Sequence, residues 1–278
     1  MVVRGDQRPI GVFDSGIGGL TVVRELLRLL PEERLLYFGD TARVPYGTKS
    51  GETVTRFTLE AGDFLRELDI KALIVACNTA SAYALPALAE RLRFPVVGVI
   101  EAGAKAAAED AAAQRIGVVG TAATVASHAY DRALRSLAPQ AHVFSIACPL
   151  FVPLVEEGWL DHPVTRLVAE EYLEPLRKEQ LDVLILGCTH YPLLRPVLQA
   201  VMGDAVRLVD AGAHTARTVH EVLGAAGRAT AASSEPEHRI FLTDSLPTFQ
   251  RTAERFLGCS LPAVEVVRRL EEKWVRAS

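Results

Sequence analysis

Short apolar runs alternate with stretches of helical periodicity along most of the chain, and this pattern sets the expected fold. Residues 9–13, 35–40, 71–76, 95–100, 115–121, 143–147, 183–186 and 207–210 are short, largely apolar runs. Strands buried on both faces of a parallel sheet have this composition, because crossover helices cover both faces. Amphipathic or Ala-rich stretches at 20–30, 52–68, 104–113 and 213–223 predict helices between them. The alternation predicts an α/β chain, doubly wound, with parallel sheets throughout. Composition shifts toward alanine at 104 and a strand-to-turn unit restarts at 115, so two similar lobes are expected. Residues 104–212 form the second lobe in this reading. The first lobe takes 1–103 and 213–278, returning through a strand at 238–243 after a polar, Ala- and Ser-rich linker at 224–237.

The polar residues that break this pattern gather at the carboxyl ends of the expected strands, where open α/β sheets bind ligands. Cys77, Asn78 and Thr79 follow the run at 71–76, and Cys188, Thr189 and His190 follow the one at 183–186. Each Cys turn is expected to lead into a helix. Asp14 and Ser15 follow the first strand, and Thr121 and Thr124 follow the strand at 115–121 in the same way. Val44-Pro45-Tyr46-Gly47 is a rigid turn able to present backbone groups to a ligand. The glycine-rich turn Gly16-Ile17-Gly18-Gly19 does not have dinucleotide spacing, since Thr21 occupies the last glycine position and no G-K-[ST] follows. It is expected instead to expose backbone N–H groups to an anion.

Two strand–Cys–polar turns suggest two half-molecules, each bringing one thiol to a shared cleft. A thiolate and a neutral thiol on opposite faces of a bound carbon form a base and an acid. One removes a proton and the other supplies one, so the centre inverts. With each sulfur within roughly 3.5 Å of that carbon, the two lie about 7 Å apart. A helix N-terminus is expected to favour the anion at both cysteines. Asp14 is the natural partner for Cys77, with His190 and a carboxylate from Glu156–Glu157 on the Cys188 side. Ser15, Thr79, Thr189 and Asn78 suit hydrogen bonds to carboxylate oxygens that gain charge. Asn78 is the only asparagine in the chain. Cys188 with His190 also fits a thiol hydrolase, which leaves the second Cys turn unexplained. Cys148 and Cys259 read as small buried apolar side chains.

Composition narrows the classes further. The chain has 278 residues, 49% hydrophobic, with a formal charge of −4. Nucleic acid is not expected as a partner without a basic surplus. The N-terminal stretch 1–9 has no apolar signal core, and no run reaches eighteen apolar residues, so a soluble cytoplasmic protein is expected. Four cysteines without a C-x-x-C pair do not make a disulfide scaffold or a zinc ribbon. One Cys and one His make a poor metal site, and none of the few lysines marks a pyridoxal phosphate site.

The segments 14–22, 44–47, 76–82 and 186–194, together with 117–121 and 147–151, resemble in composition and order those of the glutamate racemases, within the aspartate/glutamate racemase superfamily. The resemblance runs from about residue 10 to 212. It implies two α/β lobes, a homodimer, no cofactor, and interconversion of L- and D-glutamate for bacterial peptidoglycan. Cys77 and Cys188 become the acid/base pair, with Asp14 assisting the first and His190 and Glu156 the second. Substrate contacts fall on Asp14, Ser15, Tyr46, Gly47, Asn78, Thr79, Thr189 and His190, with Thr121 and Thr124 at one carboxylate. Ala102 and Ala211 depart from the usual Pro and Ser, which bears on local loop shape. Aspartate racemase, with a pocket one methylene shorter, is the nearest rival. Some members have an N-terminal extension linked to activation by a cell-wall precursor; a first motif at residue 14 predicts no such control.

Overall fold

The computed structural model describes residues 6–109, 113–227, 229–230, 236–244, 249–270 and 273–276. All eight apolar runs become strands: β1 (Ile10–Asp14), β2 (Leu35–Gly39), β3 (Ala72–Val75), β4 (Val96–Gly98), β5 (Arg115–Gly120), β6 (His142–Ala147), β7 (Val183–Gly187) and β8 (Arg207–Val209). They form two parallel quartets, in the orders β2-β1-β3-β4 and β6-β5-β7-β8. The two orders are the same arrangement. Within each quartet the third strand carries the thiol, Cys77 after β3 and Cys188 after β7. β3 and β7 are buried along their whole length. Each buried Ile, Leu or Val there contributes about 1.5–3 kcal/mol, so both thiols stand on firmly anchored strands.

The first quartet continues through β9 (Arg239–Leu242), parallel to β2, which is the returning strand expected at 238–243. β10 (Ala263–Leu270) pairs parallel with β9, and β11 (Lys273–Arg276) pairs antiparallel with β10. Parallel pairing therefore does not hold throughout. The sequence reading missed this edge hairpin and the helix Phe249–Leu257. The hairpin has no continuous apolar run because it lies at a sheet edge, with Val264 exposed and Val267 buried.

The Ala-rich helix begins earlier than expected, spanning Val99–Ala108. Val99 and Ile100 suit a buried strand or a buried helix equally, so periodicity cannot place that boundary. Residues 110–112 of that expected helix lie outside the described residues, as do 228 and 231–235 of the expected linker and 1–5 of the N-terminal stretch. One apolar cluster joins the halves, bringing Leu20, Leu26 and Ile74 together with Val119, Leu184 and Leu186. Among the described residues, no helix is long and apolar enough to cross a membrane.

Candidate active site

Both thiols open into one cavity of about 330 Å³, within the size range of small-ligand sites. Ser15, Tyr46, Gly47, Asn78 and Thr79 line it from the first half, and Thr121, Glu156, Thr189 and His190 from the second. Pro149, Val152 and Pro153, which sequence reasoning did not single out, add an apolar wall. Asp14 and Thr124 are buried behind the lining instead of facing the cavity. Tyr46 lines the cavity, but its hydroxyl donates to Asp40 Oδ2 at 2.5 Å and is committed there.

Cys77 is the N-cap of the helix Asn78–Arg91, and the Ala80 N–H donates to its sulfur at 3.4 Å. Its thiol points at Ser15 Oγ, 3.5 Å away. The helix N-terminus favours the anion here as expected, through the Ala80 N–H, but burial outweighs it. Burial, reinforced by the charge of Asp14, pushes the Cys77 thiol up to about 12, and the Ser15 and Ala80 contacts only partly oppose this. Cys77 thus holds its proton at neutral pH. Asp14 acts on it through charge, whereas its thiol donates a hydrogen bond to Ser15 Oγ.

Asp14 is fully buried. Its Oδ2 accepts from the Gly16 N–H at 2.9 Å, while its Oδ1 has no hydrogen-bond partner among the described residues. Burial raises its pKa, against the Gly16 N–H and the charge of His190. The Gly16 N–H, expected to meet a bound anion, is therefore taken by the Asp14 carboxylate. Tyr37, whose hydroxyl donates to the Gly16 carbonyl at 2.9 Å, pins the same turn.

Cys188 does not lead directly into an α-helix. A 3₁₀ turn, Tyr191–Leu194, comes first, and the helix starts at Arg195. Pro196 has no N–H with which to close an α-turn onto residue 192. His190 Nδ1 lies 3.9 Å from Cys188 Sγ, and His190 Nε2 lies 2.9 Å from Glu156 Oε1. Glu156, not Glu157, meets the imidazole. Burial works against the imidazolium, yet the hydrogen bonds and charges of Cys188 and Glu156 outweigh it and raise His190 up to about 10. A positive charge thus lies beside Cys188, and a carboxyl group beside Cys77. Phe256 packs edge-on against the His190 ring, with centroids 5.1 Å apart. It comes from the helix Phe249–Leu257, in a tail that has no chemical motif.

Three hydroxyls meet where the halves face each other. Thr79 Oγ1 is 2.9 Å from Thr121 Oγ1 and 3.0 Å from Thr124 Oγ1, and the latter two are 3.0 Å apart. Gly47 approaches the same place so closely that an added Cβ would lie 2.6 Å from the Cβ of Thr121. Cys148 is buried away from the cavity lining, whereas Cys259 is exposed, contrary to expectation. It lies two residues past the helix Phe249–Leu257, where the apolar pattern gives way. Among the described residues, no three His, Cys, Asp or Glu side chains are placed to hold a metal ion.

Comparison with known proteins agrees with the two-quartet α/β fold. The family model for Asp/Glu/hydantoin racemases matches residues 10–219. The chain belongs to that family. A glutamate racemase of Geobacter metallireducens is 51% identical over 266 residues, covering 96% of this chain and 98% of the relative. The glutamate racemase of Francisella tularensis, solved in complex with D-glutamate, superposes with a TM-score of 0.89 at 39% identity, covering 94% of this chain and 98% of that one. The glutamate racemase of Thermus thermophilus, in complex with β-chloro-D-alanine, superposes with a TM-score of 0.86 at 48% identity, covering 96% and 99% of the two chains.

Within this racemase family site, the His190–Glu156 contact makes a prediction. His190 has its pKa raised by folding from an ordinary 6.5 to about 10. Its charged contacts are fully stabilising below the ordinary value and are lost as pH rises through about 10. In Glu156→Gln, which removes one of the two partners, NMR titration of His190 is expected to shift down by about one unit or more. An unchanged titration contradicts the contact.

Proposed function

We propose that the chain is a glutamate racemase that needs no cofactor, interconverting L- and D-glutamate by moving protons between two thiols and the α-carbon. The observation that carries this reading is the placement of Cys77 and Cys188 at equivalent ends of two like-ordered quartets, lining one cavity from opposite halves. Cys77, protonated at neutral pH, is the acid on its face of the substrate. Cys188, beside the His190 imidazolium and Glu156, is the group that takes the α-proton on the other face. In the reverse direction the roles exchange. Asn78 and the hydroxyls of Ser15, Thr79, Thr121 and Thr189 receive the substrate carboxylates, while Asp14 and Thr124 act from behind them. The thiols supply both proton transfers, so the chemistry requires neither pyridoxal phosphate nor a metal.

The similarity to curated glutamate racemases at about half identity supports glutamate over aspartate. One methylene of pocket length separates the two substrates and is worth only about 1–3 kcal/mol. The Cys188–His190–Glu156 line also suits a thiol hydrolase, but that reading gives Cys77 no task. We assign the two lobes to 1–103 with 213–278 and to 104–212. We further place the enzyme in the cytoplasm, supplying D-glutamate for peptidoglycan, which its four free cysteines suit. A homodimer is supported by exposed Leu150, Trp159, Val164 and Leu167, apolar groups in one segment of the second half; sedimentation velocity tests it. The function itself is tested by circular dichroism of L-glutamate, D-glutamate and L-aspartate incubated with purified protein and no added cofactor. Decay of both glutamate signals to zero is expected. Decay of aspartate alone changes the substrate, and no decay of any signal removes the racemase reading.

A further inference from the structure

Tyr130 lies in the first turn of the helix Ala129–Leu137, in the second half of the molecule, and is 2% exposed. Its ring lies against two backbones that have no room for a side chain. A Cβ added at Gly103 would lie 2.9 Å from Tyr130 Oη, and one at Gly187 would lie 3.0 Å from its Cε2. Gly187 is the residue before Cys188. Tyr130 Oη donates to Asn78 Oδ1 at 2.7 Å, and Asn78 is the residue after Cys77. One ring therefore touches the turns that carry both thiols. Burial raises the phenol pKa further, so the hydroxyl stays a donor.

A primary amide offers an acceptor at one end and donors at the other, and a fixed donor such as this phenol decides which end points where. With Oδ1 held by Tyr130, the Nδ2 end remains for the cavity that Asn78 lines. We propose that Tyr130 is a positioning residue for the racemisation. It holds the Asn78 carboxamide so that Nδ2 donates to the substrate carboxylate as the α-proton leaves and negative charge spreads onto those oxygens. The inference rests on the racemase reading above.

Tyr130→Phe removes the hydroxyl and keeps the ring in its seat between Gly103 and Gly187. Because Asn78 is the only asparagine in the chain, protein labelled with [¹⁵N]asparagine gives one side-chain amide pair. We expect that pair to shift in Tyr130→Phe. We also expect kcat for glutamate to fall at least about tenfold, because a donor aimed at developing charge is misaligned, with KM changing less than kcat. An unmoved amide pair, a smaller loss of kcat, or a loss carried mainly by KM overturns the assignment. A parent protein inert toward glutamate would instead remove the racemase reading, a result separable from these.

Discussion

Replacing Cys77 by Ser is expected to lower glutamate racemisation about 10²–10⁴-fold in both directions, and replacing Cys188 by Ser to do the same. A hydroxyl in either place is too weak an acid to share protons with carbon as a thiol does. Each variant still has one working thiol. It should therefore exchange the α-hydrogen of one enantiomer with solvent, without inversion, and Cys77→Ser and Cys188→Ser should differ in which enantiomer that is. Polarimetry measures the loss, and α-proton NMR of each enantiomer in D₂O measures the exchange. Near-parental racemisation by Cys77→Ser would contradict the two-thiol account and favour a site centred on Cys188 and His190 alone.

Gly18→Ala is expected to cost about 10²-fold in activity although Gly18 does no chemistry. A Cβ at residue 18 would lie 2.2 Å from Thr189 Oγ1 and 2.5 Å from His190 Nδ1. The methyl group can fit only if the Thr189–His190 segment moves away, and displacements near 1 Å at a catalytic group cost about that factor. Gly224→Ala is the matched control. Among the described residues nothing lies within 4 Å of its added Cβ, and its helix Gly212–Ala225 gains from alanine. Activity of Gly18→Ala equal to that of the control would show that the two halves are not packed closely at this point.

The glycine-rich turn illustrates what could be read in advance and what could not. Its departure from nucleotide-loop spacing was legible, and so was a carboxylate at a strand end. The use of Gly18 was not, because the constraint comes from Thr189 and His190, far along the chain. The quartet strands were legible because they are buried on both faces, which writes a continuous apolar run into the sequence. The β10–β11 hairpin, wet along one face, writes no such run. Both cysteine turns were legible as thiols at strand ends. The ionisation of Cys77 was not, since it depends on how deeply that residue is buried and on how near Asp14 lies. Thr79, Thr121 and Thr124 were legible as candidate ligands, whereas their contact across the halves required the fold. Tyr130 and Phe256 went unnoticed because a buried aromatic on a helix looks the same whether it packs a core or orients a catalytic side chain.

The central claim is that two thiols work on opposite faces of one carbon, and a single-turnover-scale experiment in D₂O tests it most directly. L-Glutamate is incubated with enzyme until a small fraction is converted, and both enantiomers are recovered for mass analysis. The account predicts deuterium at the α-carbon of the D-glutamate formed, with the remaining L-glutamate still carrying its original hydrogen. Deuterium appearing equally in both enantiomers, or hydrogen carried over from substrate to product, would mean that one group serves both faces, and the paired-thiol mechanism would have to be abandoned.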